Sequence, residues 1–184
     1  MKLSDTTILF IPGLNGSGPD HWQTRWEKKL STAQRLEQRD WDNPLAAEWT
    51  DKLLETAEKS SRPVIAVSHS LGSTTLAKAA PLFTPGKIVG AFMVTPPVPE
   101  ALLRAFPSID PTFLEPVAHN FPFKTWLIAS RNDPFASYDL SEKMALDWAA
   151  TLIDAGEAGH INTESGHGPW PEGLMSFAGF INKL

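Results

Sequence analysis

The stretch Val64-Ile65-Ala66-Val67-Ser68-His69-Ser70-Leu71-Gly72 decides how this 184-residue chain is read. An apolar, mostly β-branched run gives way to Gly72-Ser73-Thr74-Thr75-Leu76-Ala77, small residues suited to a closely packed helix. A strand that enters a helix through so short a turn pushes the residue at its apex, Ser70, out of the backbone. Ser68-x-Ser70-x-Gly72 thus approximates a nucleophile elbow, in which small residues two before and two after the serine let strand and helix approach. Ser68 stands where that pattern has glycine. His69 adjoins Ser70, but successive side chains in a tight turn diverge, so His69 reads as support under the loop and not as the base.

Outward from this stretch, apolar runs alternate with amphipathic ones. Residues 6–11 read as a buried strand broken by Pro12-Gly13-Leu14-Asn15-Gly16-Ser17-Gly18-Pro19, after which Asp20 is expected to cap a helix over 21–30. Residues 34–38 make a weak strand, and Leu45, Trp49, Leu53, Leu54 and Ala57 fall near a 3.6 period, which predicts a helix over 45–59. Strands over 64–67, 88–94 and 125–129 are too continuously apolar to face water, so they belong at the centre of a sheet. Helices follow over 70–80, 138–149 (with Asp139 as its cap) and 171–184, with a short strand at 151–153. This alternation predicts a mostly parallel α/β sheet with helices on both faces, in a single domain over 1–184. One segment departs from it: the 30 residues 95–124 contain seven prolines, a composition expected of a lid or a rigid surface excursion.

Composition narrows the chemistry. The net charge is −5 and the Lys and Arg residues are scattered, which argues against a nucleic-acid surface. No apolar run approaches the roughly 20 residues of a membrane span, and Met1-Lys2-Leu3-Ser4-Asp5 is too polar to begin a signal peptide. With no cysteine, disulfides, thiolate metal sites and a cysteine nucleophile are all excluded, and a cytoplasmic location is expected. No His-x-x-x-His pair or carboxylate cluster stands at ligand spacing, so neither a metal nor another cofactor is expected.

In a parallel sheet of this kind, ligands bind beyond the carboxyl ends of the strands. Ser68-His69-Ser70, Ser130-Arg131-Asn132-Asp133-Pro134 and the stretch ending in Gly159-His160 all fall there. A hydroxyl becomes a useful nucleophile when an imidazole takes its proton and a carboxylate orients the imidazole. Asp133 is the candidate carboxylate. The base is a contest between His160, just after the last strand and preceded by glycine, and His167 farther out; spacing favours His160 without removing the other. Backbone donors for a developing oxyanion are expected from Leu71, which follows the serine, and from Leu14, with Asn15 as second choice. His21, Pro96 and Trp170 adjoin the same rim and are expected to border a pocket for a small acyl substrate with a short, uncharged chain.

Taken together, Pro12-Gly13-Leu14-Asn15-Gly16-Ser17 with His21-Trp22, Ser68-His69-Ser70-Leu71-Gly72, Ser130-x-x-Asp133-Pro134, Ala158-Gly159-His160-Ile161-Asn162 and Gly168-Pro169-Trp170-Pro171-Glu172-Gly173 resemble the small serine hydrolases similar to retinoblastoma-binding protein 9. The resemblance spans nearly the whole chain. It implies a compact α/β-hydrolase fold without a large cap, with Ser70 as nucleophile, Asp133 as acid and His160 as base. It also resolves the histidine contest, since the base of that family matches the Gly-His-Ile-Asn stretch. The activity implied is that of a carboxylesterase-like serine hydrolase working through an acyl-enzyme.

Two other readings compete with this one. Gly13, Gly16 and Gly18 between a strand and a helix, with Asp40 farther on, faintly suggest a dinucleotide site, but their order is not the expected fingerprint and Pro12 and Pro19 stiffen the loop. A protein-interaction module with incidental hydrolysis is the alternative from a different class, although nothing in the sequence indicates a protein partner.

Overall fold

Six strands pair side by side in the order β2-β1-β3-β4-β5-β6, every pair parallel, in a computed structural model that describes residues 2–184. The strands are β1 (Thr7–Ile11), β2 (Ala33–Arg35), β3 (Val64–His69), β4 (Ile88–Val94), β5 (Lys124–Ala129) and β6 (Thr151–Asp154). Six α-helices accompany them: α1 (Trp22–Glu27), α2 (Ala46–Lys59), α3 (Leu71–Ala79), α4 (Pro99–Ala105), α5 (Tyr138–Asp147) and α6 (Pro171–Ile181). No helix among the described residues is long and apolar enough to cross a membrane.

Alternate residues of the apolar strands serve opposite faces, which is why these strands show no polar side. Leu9, Ile11, Ala66, Met93 and Leu127 pack with Leu53 and Ala57 of α2, Leu76 of α3 and Ala145 of α5. Ile8, Phe10, Ile65, Val67, Phe92 and Ile128 pack on the other face with Trp22 and Trp26 of α1 and with Phe177 and Phe180 of α6. At about 25 cal/mol per Å² of apolar surface, each fully buried Phe or Leu on these faces contributes roughly 1.5–3 kcal/mol. The two faces together hold the strand ends, and hence the loops beyond them, in fixed register.

Several local expectations need correction. Asp20 does not cap the first helix. His21 does, its Nδ1 accepting from the Gln23 backbone N–H, while Asp20 pairs with Arg25. Asp139 likewise gives way to Ser137, whose Oγ accepts from Leu140 N–H. The strand expected at 34–38 is displaced to Ala33–Arg35, and the first helix is shorter than 21–30 because its last residues turn toward β2. Asp40 has no ligand-facing role: its Oδ1 accepts from the backbone N–H groups of Asp42 and Asn43 and closes a local turn. Before β5 opens at Lys124, the proline-rich segment 95–124 holds α4 and a one-turn 3-10 helix, Pro111–Leu114, packed on Trp49, Ala46 and Leu71.

Candidate active site

Ser70 sits at the junction of β3 and α3 with φ 52° and ψ −128°, a conformation that L residues rarely adopt. Such strain costs about 1–3 kcal/mol and persists only where the surroundings enforce it. Here they do: Ser70 N–H continues the sheet ladder to Val94 C=O at 3.0 Å, and Ser70 C=O accepts from Ser73 N–H at 2.8 Å. A Cβ on Gly72 would collide with the Ile11 and Pro12 carbonyls, which explains glycine two positions after the serine. Ser68, two positions before, is fully buried and exchanges a 2.8 Å hydrogen bond with Ser73 Oγ, so its hydroxyl fastens strand to helix where glycine would leave nothing.

The three side chains singled out at the strand ends meet. Ser70 Oγ lies 2.8 Å from His160 Nε2, and His160 Nδ1 lies 2.9 Å from Asp133 Oδ1. A carboxylate only accepts, so Nδ1 carries the proton and Nε2 is left to accept from the serine hydroxyl. Asp133 Oδ1 also accepts from Phe135 N–H at 2.9 Å, which fixes the carboxylate. The Phe135 ring covers the imidazole at 4.5 Å between centroids and limits its contact with water.

His160 lies outside any helix or strand, between Gly159 (φ 59°) and Ile161 (φ 47°), and side chains from elsewhere hold the loop. Ala158 N–H donates to Ser130 Oγ and Gly159 N–H to Asn132 Oδ1, so the Ser-x-Asn part of the segment after β5 serves the base as Asp133 does. Trp22 Nε1 donates to Ile161 C=O at 2.9 Å. His167, the other candidate base, instead accepts or donates at Ser165 Oγ and does not line the cleft.

The backbone donors sort themselves. A Cβ on Gly13 would lie 2.8 Å from Ser70 Cβ and 3.2 Å from Leu71 N, so the loop after β1 presses against the elbow and brings the Leu14 peptide beside Leu71. Neither the Leu14 nor the Leu71 N–H donates to a backbone acceptor among the described residues outside the helix and strand ladders. Asn15, the second choice from the sequence, is removed from this role: its N–H donates to Trp41 C=O at 2.9 Å. Leu71 opens α3, whose positive end faces the same point.

These groups open onto a cleft of about 460 Å³ that His21, His69, Ser70, Leu71 and His160 also line. Leu14, Pro97, Leu102, Phe106 and Phe135 give it an apolar wall, and Asn162, Thr163 and Glu164 a polar one. His21 stands where the sequence suggested. Pro96 does not; it is buried, and the next residue, Pro97, reaches the cleft. Trp170 is also misplaced by the sequence reading, being 5% exposed and packed against Trp22 and Trp26 in the core beneath the rim. Nothing in the sequence marks the apolar wall from α4 and Phe135, whose residues are ordinary core types with no spacing that signals a pocket.

Two further imidazoles follow His160 along the cleft as tilted ring contacts, His21 to His69 at 4.8 Å and His69 to His160 at 5.0 Å between centroids. Burial pushes His21 down to about 3, with the Arg35 charge and His160 acting in the same direction. Burial also holds His69 well below its ordinary value, helped by His21 and His160. Both rings are therefore neutral near neutral pH and do not repel a positive charge arriving on His160.

Comparison with known proteins fits this geometry. The serine hydrolase family pattern matches residues 8–179. A YdeN-like hydrolase from Pectobacterium atrosepticum is 32% identical, with a TM-score of 0.84 over 96% of this chain and 91% of that one. The ydeN gene product of B. subtilis is 18% identical, with a TM-score of 0.77 over 96% of this chain and 99% of that one. Esterase 2 of Thermogutta terrifontis, at 14% identity, superposes with a TM-score of 0.70 over all of this chain and 85% of that one. A comparison with curated proteins finds no match. The architecture is the α/β-hydrolase fold with no cap domain among the described residues. On the match to nearly its whole length, the chain belongs to the serine hydrolase family.

Proposed function

We propose that the protein hydrolyses small carboxylic esters, or closely related acyl compounds, through an acyl-enzyme on Ser70. The observation that carries this reading is the continuous path from Ser70 Oγ to His160 Nε2 at 2.8 Å and from His160 Nδ1 to Asp133 Oδ1 at 2.9 Å. His160 takes the hydroxyl proton as Oγ attacks the acyl carbon, then returns it to the departing alcohol. Water then attacks the acyl-enzyme, giving up a proton to His160, which passes it to Ser70 Oγ as the acyl–Oγ bond breaks and the acid leaves. Asp133 holds the imidazole in the tautomer that can accept and stabilises the imidazolium that forms. The Leu71 and Leu14 N–H groups receive the negative oxygen of the tetrahedral intermediate, where one such donor is worth roughly 10²–10³ in rate.

The cleft supports a substrate class as well. Its wall of Leu14, Leu102, Phe106 and Phe135 suits an apolar acyl chain of modest length, and Glu164 on the opposite side disfavours an anionic group. We read the motif set as that of the branch resembling retinoblastoma-binding protein 9, acting on a small molecule in the cytoplasm. Purified protein should hydrolyse p-nitrophenyl acetate and be labelled by a fluorophosphonate probe, with Ser70→Ala losing both. Full activity or labelling in Ser70→Ala would refute the assignment.

A further inference from the structure

His69 and Thr95 converge on one atom of His160. His69 Nε2 donates to the His160 backbone carbonyl at 2.9 Å, and Thr95 Oγ1 donates to the same oxygen at 3.2 Å. Both donors are buried, with His69 5% and Thr95 2% exposed. Each is the residue at or just beyond the end of a central strand, His69 closing β3 and Thr95 following β4. Thr95 is itself held at φ 46°, with its N–H donating to Ile128 C=O at 3.0 Å, so its hydroxyl is fixed by the sheet.

We infer that His69 and Thr95 are positioning residues for the Ser70 reaction, clamping the main chain of His160 so that its imidazole stays in register with the nucleophile. This rests on the reading of Ser70, His160 and Asp133 given above. The physical argument begins with the loop. His160 has no secondary structure of its own and left-handed residues on both sides; the Ile161 N–H to Ala158 C=O turn and the contacts to Ala158, Gly159 and Ile161 hold the flanking residues, whereas the carbonyl of His160 itself is held by His69 and Thr95. A reacting pair must be held within about 0.5 Å and 10–20°. A carbonyl oxygen has two lone pairs, and here His69 at the end of β3 and Thr95 just beyond β4 donate to it.

The adjacency of His69 and Ser70 makes the arrangement specific. One dipeptide grips one residue at both of its ends: Ser70 Oγ meets the ring at Nε2 and His69 Nε2 meets the backbone carbonyl. Any movement of β3 carries nucleophile and clamp together, so the distance between serine and imidazole is buffered against motion of the sheet. The neutral His69 ring can donate to the carbonyl without opposing the imidazolium that forms 5.0 Å away. A lysine or arginine could donate as well, but its charge would disfavour that imidazolium.

The test compares His69→Ala, His69→Gln, Thr95→Val and the double variant His69→Ala with Thr95→Val, using p-nitrophenyl acetate, a fluorophosphonate probe and near-ultraviolet circular dichroism. A misplacement of the order of 1 Å costs about 10²-fold, so His69→Ala should lose about that in kcat with KM within about twofold. His69→Gln, whose amide nitrogen stands in for Nε2, should recover most of the loss, which a merely space-filling role would not predict. Thr95→Val, nearly equal in shape, should lose about tenfold in kcat, and the double variant more than the product of the two. In the proton NMR spectrum, the downfield Nδ1–H resonance of His160 should be sharp in His69→Gln and broadened in His69→Ala. If His69→Ala does not fold, His69→Gln and Thr95→Val decide alone. Wild-type kcat in Thr95→Val, no recovery by glutamine, or a loss wholly in KM overturns the inference. If Ser70→Ala is inactive while these variants behave as wild type, only the clamp is wrong; if Ser70→Ala is active, the nucleophile is.

Discussion

Asp133 holds His160 through a single oxygen, Oδ1, which accepts from the imidazole Nδ1 and from Phe135 N–H, both at 2.9 Å. The carboxylate is thus oriented by its own backbone before it orients the ring. Asp133→Asn preserves size but presents an amide that can donate to Nδ1 and favour the wrong tautomer. A loss of about 10⁴ in kcat is expected, by analogy with the serine-protease triad, with little change in melting temperature. Steady-state kinetics on p-nitrophenyl acetate beside thermal denaturation checks both halves.

The oxyanion assignment separates neighbouring residues. Asn15 spends its N–H on Trp41 and is exposed, so Asn15→Ala should change kcat by less than about threefold. Gly13→Ala places a methyl group 2.8 Å from Ser70 Cβ and forces the Leu14 peptide away from the elbow. That variant should lose about 10²-fold in kcat, comparable to removing one oxyanion donor. Equal losses in the two variants would show that the loop after β1 contributes through something other than its backbone near Leu14.

Trp170 and Phe106 should exchange the roles that the sequence suggests for a rim tryptophan and an ordinary core phenylalanine. Trp170→Ala removes a ring stacked on Trp26 and should destabilise by about 3–5 kcal/mol, leaving the ranking of acyl chain lengths unchanged. Phe106→Ala, at the cleft wall and stacked on Phe135 at 6.3 Å, should shift the preferred p-nitrophenyl ester toward longer chains. Urea denaturation of the first variant and a chain-length series on the second are the measurements.

Acid should destabilise the fold through His21 and His69. His21 is held at about 3 in the folded protein against 6.5 for the free side chain, so the unfolded chain binds more protons between those values. Stability is therefore complete above about 6.5 and falls as the pH drops toward 3, with a slope of up to about 1.4 kcal/mol per pH unit for this residue. His69 acts in the same direction. His21→Asn keeps a good helix cap and removes one titrating group, so its urea midpoint should decline less steeply between pH 7 and 4. Identical slopes in the two proteins would rule His21 out as a source of the effect.

Much of this molecule is legible from residue order because its strands are unusually plain. The run 88–94 is apolar throughout and emerges as β4 with the same limits, since a strand buried on both faces tolerates no polar residue to blur its ends. Helix starts fared worse. Asp20 and Asp139 are better caps by type than His21, and Ser137 competes equally with Asp139, so the choice depended on where the preceding strand released the chain. Gly72 and Ser68 could be read because an elbow constrains residue size locally, within five positions.

Residue types and their order at the strand ends determined the parallel α/β architecture and singled out Ser70 and Asp133, because strand periodicity and elbow geometry are local properties of the chain; between His160 and His167 they left a choice that the family resemblance made. Only the tertiary structure decided what each neighbour does. Whether Asn15 N–H is free depends on Trp41, 26 positions away; whether Trp170 meets ligand or core depends on α1; and the partner of His69 is a carbonyl 91 residues downstream. Hydrogen-bond partners and burial are set by which segments the assembled sheet brings together, and no short stretch of sequence carries that information.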